Sequence, residues 1–135
     1  MRRPALARCA CFLLLFASIS GCNFINQLPS DGDGIVFETM QGSYEPGDEV
    51  EMRLENNSDE LFRVGSFCEL RLQKQTDDRA WRQVWKQESC YHNVIEVEPG
   101  EQAQYRATLP SDLSAGSYRY TLGRAESTAF TVRGA

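Results

Sequence analysis

Residues 44–58 read Tyr44-Glu-Pro-Gly-Asp-Glu-Val-Glu-Met-Arg-Leu-Glu-Asn-Asn-Ser58. Pro46 presets φ at about −65° and Gly47 accepts φ > 0, the pair a tight turn needs. From Val50 the pattern switches to strict alternation, with Val50, Met52 and Leu54 on one side and Glu51, Arg53 and Glu55 on the other. That is the period of a strand with one face in a core and one in water. Asn56-Asn-Ser-Asp then ends the run with side chains that bond their own backbone in turns. Tyr44, placed in the first turn, is expected to tolerate substitution.

The same pattern repeats outward. Ile35-Val36-Phe37 opens a strand before this stretch, and Leu61 to Val64 starts one after it, with Gly65-Ser66 expected as a bulge or kink. Cys68, Leu70 and Leu72 are expected to share one face of the next strand. Thr76-Asp-Asp-Arg turns into residues 81–87, where simple alternation puts Trp81 and Trp85 on one face and Val84 on the other. Val94 to Val97 is a short strand, and Glu98-Pro-Gly-Glu is a second proline–glycine turn. Ala103, Tyr105, Ala107 and Leu109 alternate, as do Tyr118, Tyr120 and Leu122, and Thr128 to Val132 closes the chain. About seven or eight short strands at hairpin spacing, without a sustained helical period, predict an all-β antiparallel sandwich over residues 35–135.

The N-terminal residues read differently. Arg2, Arg3 and Arg8 precede an uncharged run, Cys9 to Ile19. A basic start before a short apolar stretch is the pattern of an export signal, and the run is shorter than the ~20 residues needed to cross a bilayer. Ile19-Ser20-Gly21-Cys22 resembles the lipobox of bacterial lipoproteins. That resemblance implies a signal peptide over residues 1–21 and attachment of lipid (diacylglycerol, with palmitate-type chains) at Cys22. Residues 22–34 are then the lipidated N-terminus and a flexible tether, whose polar, turn-rich segment Asn23 to Gly34 has an r.m.s. reach of about 20 Å. Asn23, in place of an aspartate, implies the outer membrane in a host with two membranes. The expected location is the bacterial cell envelope, on a membrane through the lipid.

The chain has 135 residues with 14 basic and 19 acidic side chains. Cleavage before Cys22 removes three arginines and no acid, which leaves the mature part at net −8. Such a charge is unsuited to binding nucleic acid. Cys9 and Cys11 leave with the signal, and Cys22 takes lipid. Cys68 and Cys90 remain, an even pair in an oxidising compartment, which reads as one disulfide. The alternative is a metal site with His92, although a structural zinc wants four ligands and only two thiols and one histidine are on offer. The expectation is no metal and no cofactor.

Leu113-Ser-Ala-Gly-Ser-Tyr-Arg-Tyr120 resembles the E–F corner of immunoglobulin-like sandwiches, in which a tyrosine hydroxyl bonds back to upstream backbone. This implies a structural role for Tyr118. Tyr120 then takes the slot where antibody domains carry their second core cysteine. A Cys68–Cys90 bridge would instead staple the central strand to the loop after the tryptophan strand. More widely, residues 44–122 resemble bacterial immunoglobulin-like domains. The residues that carry this are Tyr44-x-Pro-Gly-Asp, Asn56-Asn57-Ser58, Trp81-x-x-Val84, Pro99-Gly100-Glu101 and Ala115-Gly116-x-Tyr118. The chain is also similar, more loosely, to BsuPI-type proteinase inhibitors. These are turn and core positions, so the resemblance speaks to fold.

The sequence contains no Gly-x-Ser-x-Gly and no phosphate-binding glycine loop. His92, the one histidine, stands alone as a base. The expectation is therefore a protein without enzymatic activity, presenting a binding or structural surface to a protein or glycan. Trp81, Trp85 and Tyr91 are the candidate surface, with a core role open for the tryptophans. A proteinase inhibitor acting through an exposed loop at residues 88–93 is the alternative.

Overall fold

The computed structural model describes residues 34–90 and 93–134. They form eleven strands: β1 (Ile35–Thr39), β2 (Ser43–Tyr44), β3 (Glu49–Asn56), β4 (Phe62–Val64), β5 (Leu70–Gln75), β6 (Trp81–Lys86), β7 (Ile95–Val97), β8 (Gln102–Thr108), β9 (Gly116–Leu122), β10 (Ala125–Glu126) and β11 (Phe130–Val132). The two Glu-Pro-Gly-acid turns act alike. Asp48 N–H donates to Glu45 O at 3.1 Å and Glu101 N–H to Glu98 O at 3.0 Å, with Gly47 at φ 89° and Gly100 at φ 80°. One turn launches β3 and the other β8, and the two strands pair antiparallel from Glu49↔Thr108 to Glu55↔Gln102.

Two sheets result, in orders β1-β3-β8 and β2-β11-β9-β5-β6, with β10 beside β9. A short β4-β7 pair lies outside both. The inner faces meet in one core that includes Phe37, Met52 and Leu54 from the first sheet and Leu72, Tyr120 and Phe130 from the second. Full burial of such a side chain is worth about 1.5–3 kcal/mol. This is the expected antiparallel, immunoglobulin-like sandwich. The strand count exceeds the seven or eight expected, in part because β2 and β10 are two-residue segments that alternation does not resolve.

Asn56 is the last residue of β3 and is fully buried. Its amide donates to Glu60 O and Val97 O, both at 2.8 Å, and its Oδ1 accepts from Ser58 N–H and Ser58 Oγ. A buried amide with its donors and acceptor used stabilises the end of the strand. It holds the 57–60 turn, the end of β7 and, through its backbone, the Gly100 turn together.

Three local expectations are corrected. Tyr44 is buried at 2% exposure, packs edge-on against Phe130, and its hydroxyl accepts from Gln41 N–H at 3.0 Å. It belongs to the core because β2 crosses over to pair with β11, which turns the tyrosine inward. Cys68 does not share a strand face with Leu70 and Leu72. Ser66 caps a 3-10 turn over Phe67–Glu69, accepting from Cys68 N–H at 3.2 Å, and β5 begins only at Leu70.

The tryptophans do not share a face. Leu72 pairs with Trp85, but Gln73 pairs with Gln83, so Val84 is an extra, bulged residue. One inserted residue inverts the alternation. Trp85 lies beside Leu72 and packs against the core, whereas Trp81 lies opposite Gln75 on the outer face.

Candidate functional site

The outer face around Trp81 is a polar network. The Arg119 guanidinium sits 4.5 Å from the Trp81 ring centroid. Its Nε donates to Gln73 Oε1 at 2.8 Å, and Nη1 meets Glu126 Oε2 at 2.5 Å. Arg119 thus covers one ring face, and a charge over an aromatic on an open sheet is worth about 0.5–1 kcal/mol. The residues expected to form one aromatic surface do not do so. Trp85 faces inward, Trp81 is capped, and Tyr91 lies outside the described residues with His92 and Cys22.

An apolar cleft lies elsewhere. Cys68 and Cys90 are bonded, with their Cα atoms 5.6 Å apart, and the bridge ties the 3-10 turn to the segment after β6. Phe67, next to Cys68, stacks on Tyr105 of β8 with centroids 5.5 Å apart. These rings line an open cleft of about 630 Å³ together with Cys90, Asn93, Val94 and Ile95. That volume is in the range of small-molecule or side-chain pockets, and an apolar lining with a few amides is their usual make-up. Burial raises the Tyr105 phenol above its ordinary pKa. Val94 stands 47% exposed at the rim. Tyr105 was a core candidate by alternation and Phe67 carried no signal beyond its place next to a cysteine. They meet only because the disulfide and the open side of the sandwich bring them together.

At the opposite corner, Tyr118 is 1% exposed and donates its hydroxyl to Ser114 O at 2.7 Å. Lys74 reaches Ser114 Oγ at 2.6 Å and lies 5.6 Å from the Tyr118 ring centroid. This geometry serves the fold. Among the described residues no group of three His, Cys, Asp or Glu is placed to hold a metal ion, and no helix is long and apolar enough to cross a membrane.

A family model described as bacterial Ig-like domain matches residues 31–124. The chain belongs to the bacterial Ig-like domain family. The match ends at the β9–β10 turn, and β11 completes the sheet of this Ig-like domain beyond it. Similar solved structures include Spo0M, a sporulation control protein from Bacillus subtilis, at 17% identity and TM-score 0.45, covering 75% of this chain and 49% of that one. A β-glucosidase from Listeria innocua in complex with gluconolactone is similar at 17% identity and TM-score 0.39, covering 74% of this chain and 16% of that one. The chain thus spans about half of the first protein and a small part of the second. No curated protein matches it. Ig-like membership points to a structural or binding role.

Proposed function

We propose that this chain is a non-enzymatic, lipid-anchored protein of the bacterial cell envelope whose Ig-like domain binds a partner through the cleft beside Cys68–Cys90. The observation that carries the reading is the apolar cleft itself, walled by Phe67 and Tyr105 and braced by the disulfide. A disulfide-braced site loses little freedom on binding, which favours affinity. The Ile19-Ser-Gly-Cys22 run supports the anchor, and two or more acyl chains hold a protein stably on a bilayer.

Two measurements test this. Labelled palmitate is expected to enter the wild-type chain and not Cys22→Ser; absence of label in both removes the anchor. A photo-crosslinking residue at Val94 is expected to give a discrete adduct in native membranes, and one at Trp81, on the outer face, is not. Equal yield from both positions rejects the cleft as the binding site.

A second reading, a proteinase inhibitor, draws on the exposed Glu88 and Ser89 in the loop fastened at Cys90. Inhibition of any member of a protease panel by the chain, lost in a Ser89 variant, selects that reading.

A further inference from the structure

The edges of the two sheets are not equally protected. Beside β1, Thr128 N–H donates to Phe37 O at 3.1 Å and Thr39 N–H to Thr128 Oγ1 at 3.2 Å. β2, β4 and β7 have two or three residues each. β6 is interrupted by the Val84 bulge and carries Arg82 and Lys86. Short length, bulges and basic side chains are the usual ways to blunt an edge.

β8 is neither short nor bulged. Its pairing to β3 runs unbroken over seven residues. Asn56 N–H donates to Glu101 O and Leu109 N–H to Asp48 O, so the odd-numbered positions face β3. In an antiparallel ladder the even-numbered ones, Gln102, Gln104, Arg106 and Thr108, then aim N–H and C=O the other way. No second strand lies there among the described residues. The one charge on β8, Arg106, is turned onto Glu49 and Glu51 of β3. The apolar cleft opens beside this edge, because Tyr105 of β8 is one of its walls. Exposed glutamates flank this edge: Glu98 and Glu101 lie on the turn that leads into β8, and Glu88 lies two residues before the cleft-lining Cys90, none with an ion pair among the described residues.

We propose that β8 is a docking edge to which an extended segment of a partner protein adds as a strand. Its backbone bonds Gln104 and Arg106, an apolar side chain enters the cleft beside Phe67 and Tyr105, and basic side chains face the glutamates. Backbone bonds supply affinity and the pocket supplies specificity in this mode. The proposal rests on the cleft being the binding site and names the class of its partner. A second copy of the chain is a poorer occupant, since it carries the same glutamates beside its edge.

The test uses the full chain in detergent micelles and a synthetic peptide alternating lysine with valine, with one central phenylalanine. Binding is expected to slow amide exchange at Gln104 and Arg106 and to shift the Tyr105 ring resonances. N-methylation of one alternate set of peptide N–H groups is expected to weaken binding at least about tenfold, while the other set leaves it within about threefold. A peptide with glutamate in place of lysine is expected to bind at least about tenfold more weakly. Binding that leaves Gln104 and Arg106 exchanging freely, equal effects of the two methylated sets, or equal binding of the glutamate peptide overturns the proposal. So does no binding at about 1 mM. Protection of the same amides by self-association without peptide also overturns it, in favour of a second copy. The Val94 adduct is independent of the peptide, so strand addition can fail while the cleft stands as a binding site.

Discussion

Tyr118 and Tyr120 sit two positions apart on β9, both buried, and differ in one bond. The Tyr118 hydroxyl has Ser114 O at 2.7 Å, whereas the buried Tyr120 hydroxyl has no partner among the described residues. Ser114 is exposed, so water can replace a lost donor there, and Tyr118→Phe is expected to cost about 1 kcal/mol. Tyr120→Phe removes a polar atom that gains nothing from burial, and is expected to be neutral or to stabilise by up to about 1 kcal/mol. Urea midpoints of the two variants against wild type check this. A reversed order would mean that the Tyr118 bond contributes nothing. Tyr44 is as deeply placed as either, and Tyr44→Ala is expected to cost about 3 kcal/mol or more.

At the scale of elements, the Val84 bulge decides what each tryptophan does. Trp85→Ala removes a ring packed on the core and is expected to cost about 3 kcal/mol. Trp81→Ala removes a ring beneath Arg119 on the open face and is expected to cost about 1 kcal/mol or less. Single-tryptophan variants give a second check, since Trp85 should fluoresce further to the blue than Trp81. Matching melts and matching emission would show that the two rings share an environment. The disulfide joins elements 22 residues apart in sequence. In the chain-entropy account its reduction costs about 3 kcal/mol. Because Cys90 lines the cleft, the Cys68→Ser, Cys90→Ser chain is also expected to lose the Val94 crosslink before it loses its fold. Retention of the crosslink at wild-type yield would separate the bridge from the site.

For the whole molecule, the core sets the response to alkali. Burial raises the phenols of Tyr44, Tyr105 and Tyr120 above their ordinary 10.0, Tyr120 furthest, while the Gln41 N–H bond partly offsets the effect at Tyr44. The folded state therefore holds these protons more tightly than the unfolded chain. The stability this contributes is fully present below about pH 10, where unfolded tyrosines are neutral, and is lost as pH rises toward the folded values. Urea midpoints are expected to fall between about pH 10 and 12, with tyrosinate absorbance appearing together with unfolding. Tyrosinate that forms well before the loss of structure would mean the rings are more open than the packing indicates.

Strand positions and both Glu-Pro-Gly turns were legible in the residues because φ preferences and period-two burial are local properties. They need only the neighbouring residue to express themselves, as Val50, Met52 and Leu54 do on β3. The Tyr118 corner was legible for the same reason, since its acceptor is four residues away. Asn56 was read as a turn residue, and only the fold shows that its amide reaches Val97, 41 positions along the chain. The bulge was hidden because a run such as Trp-Arg-Gln-Val-Trp-Lys has no internal mark of which residue its partner strand skips. That choice is made by β5, through the fit of Leu72 to Trp85 on one side and Gln73 to Gln83 on the other. The cleft is hidden in the same way. Phe67, Ile95 and Tyr105 come from three elements, and what brings them together is the packing of the sheets and the Cys68–Cys90 bridge, which depend on contacts distant in sequence.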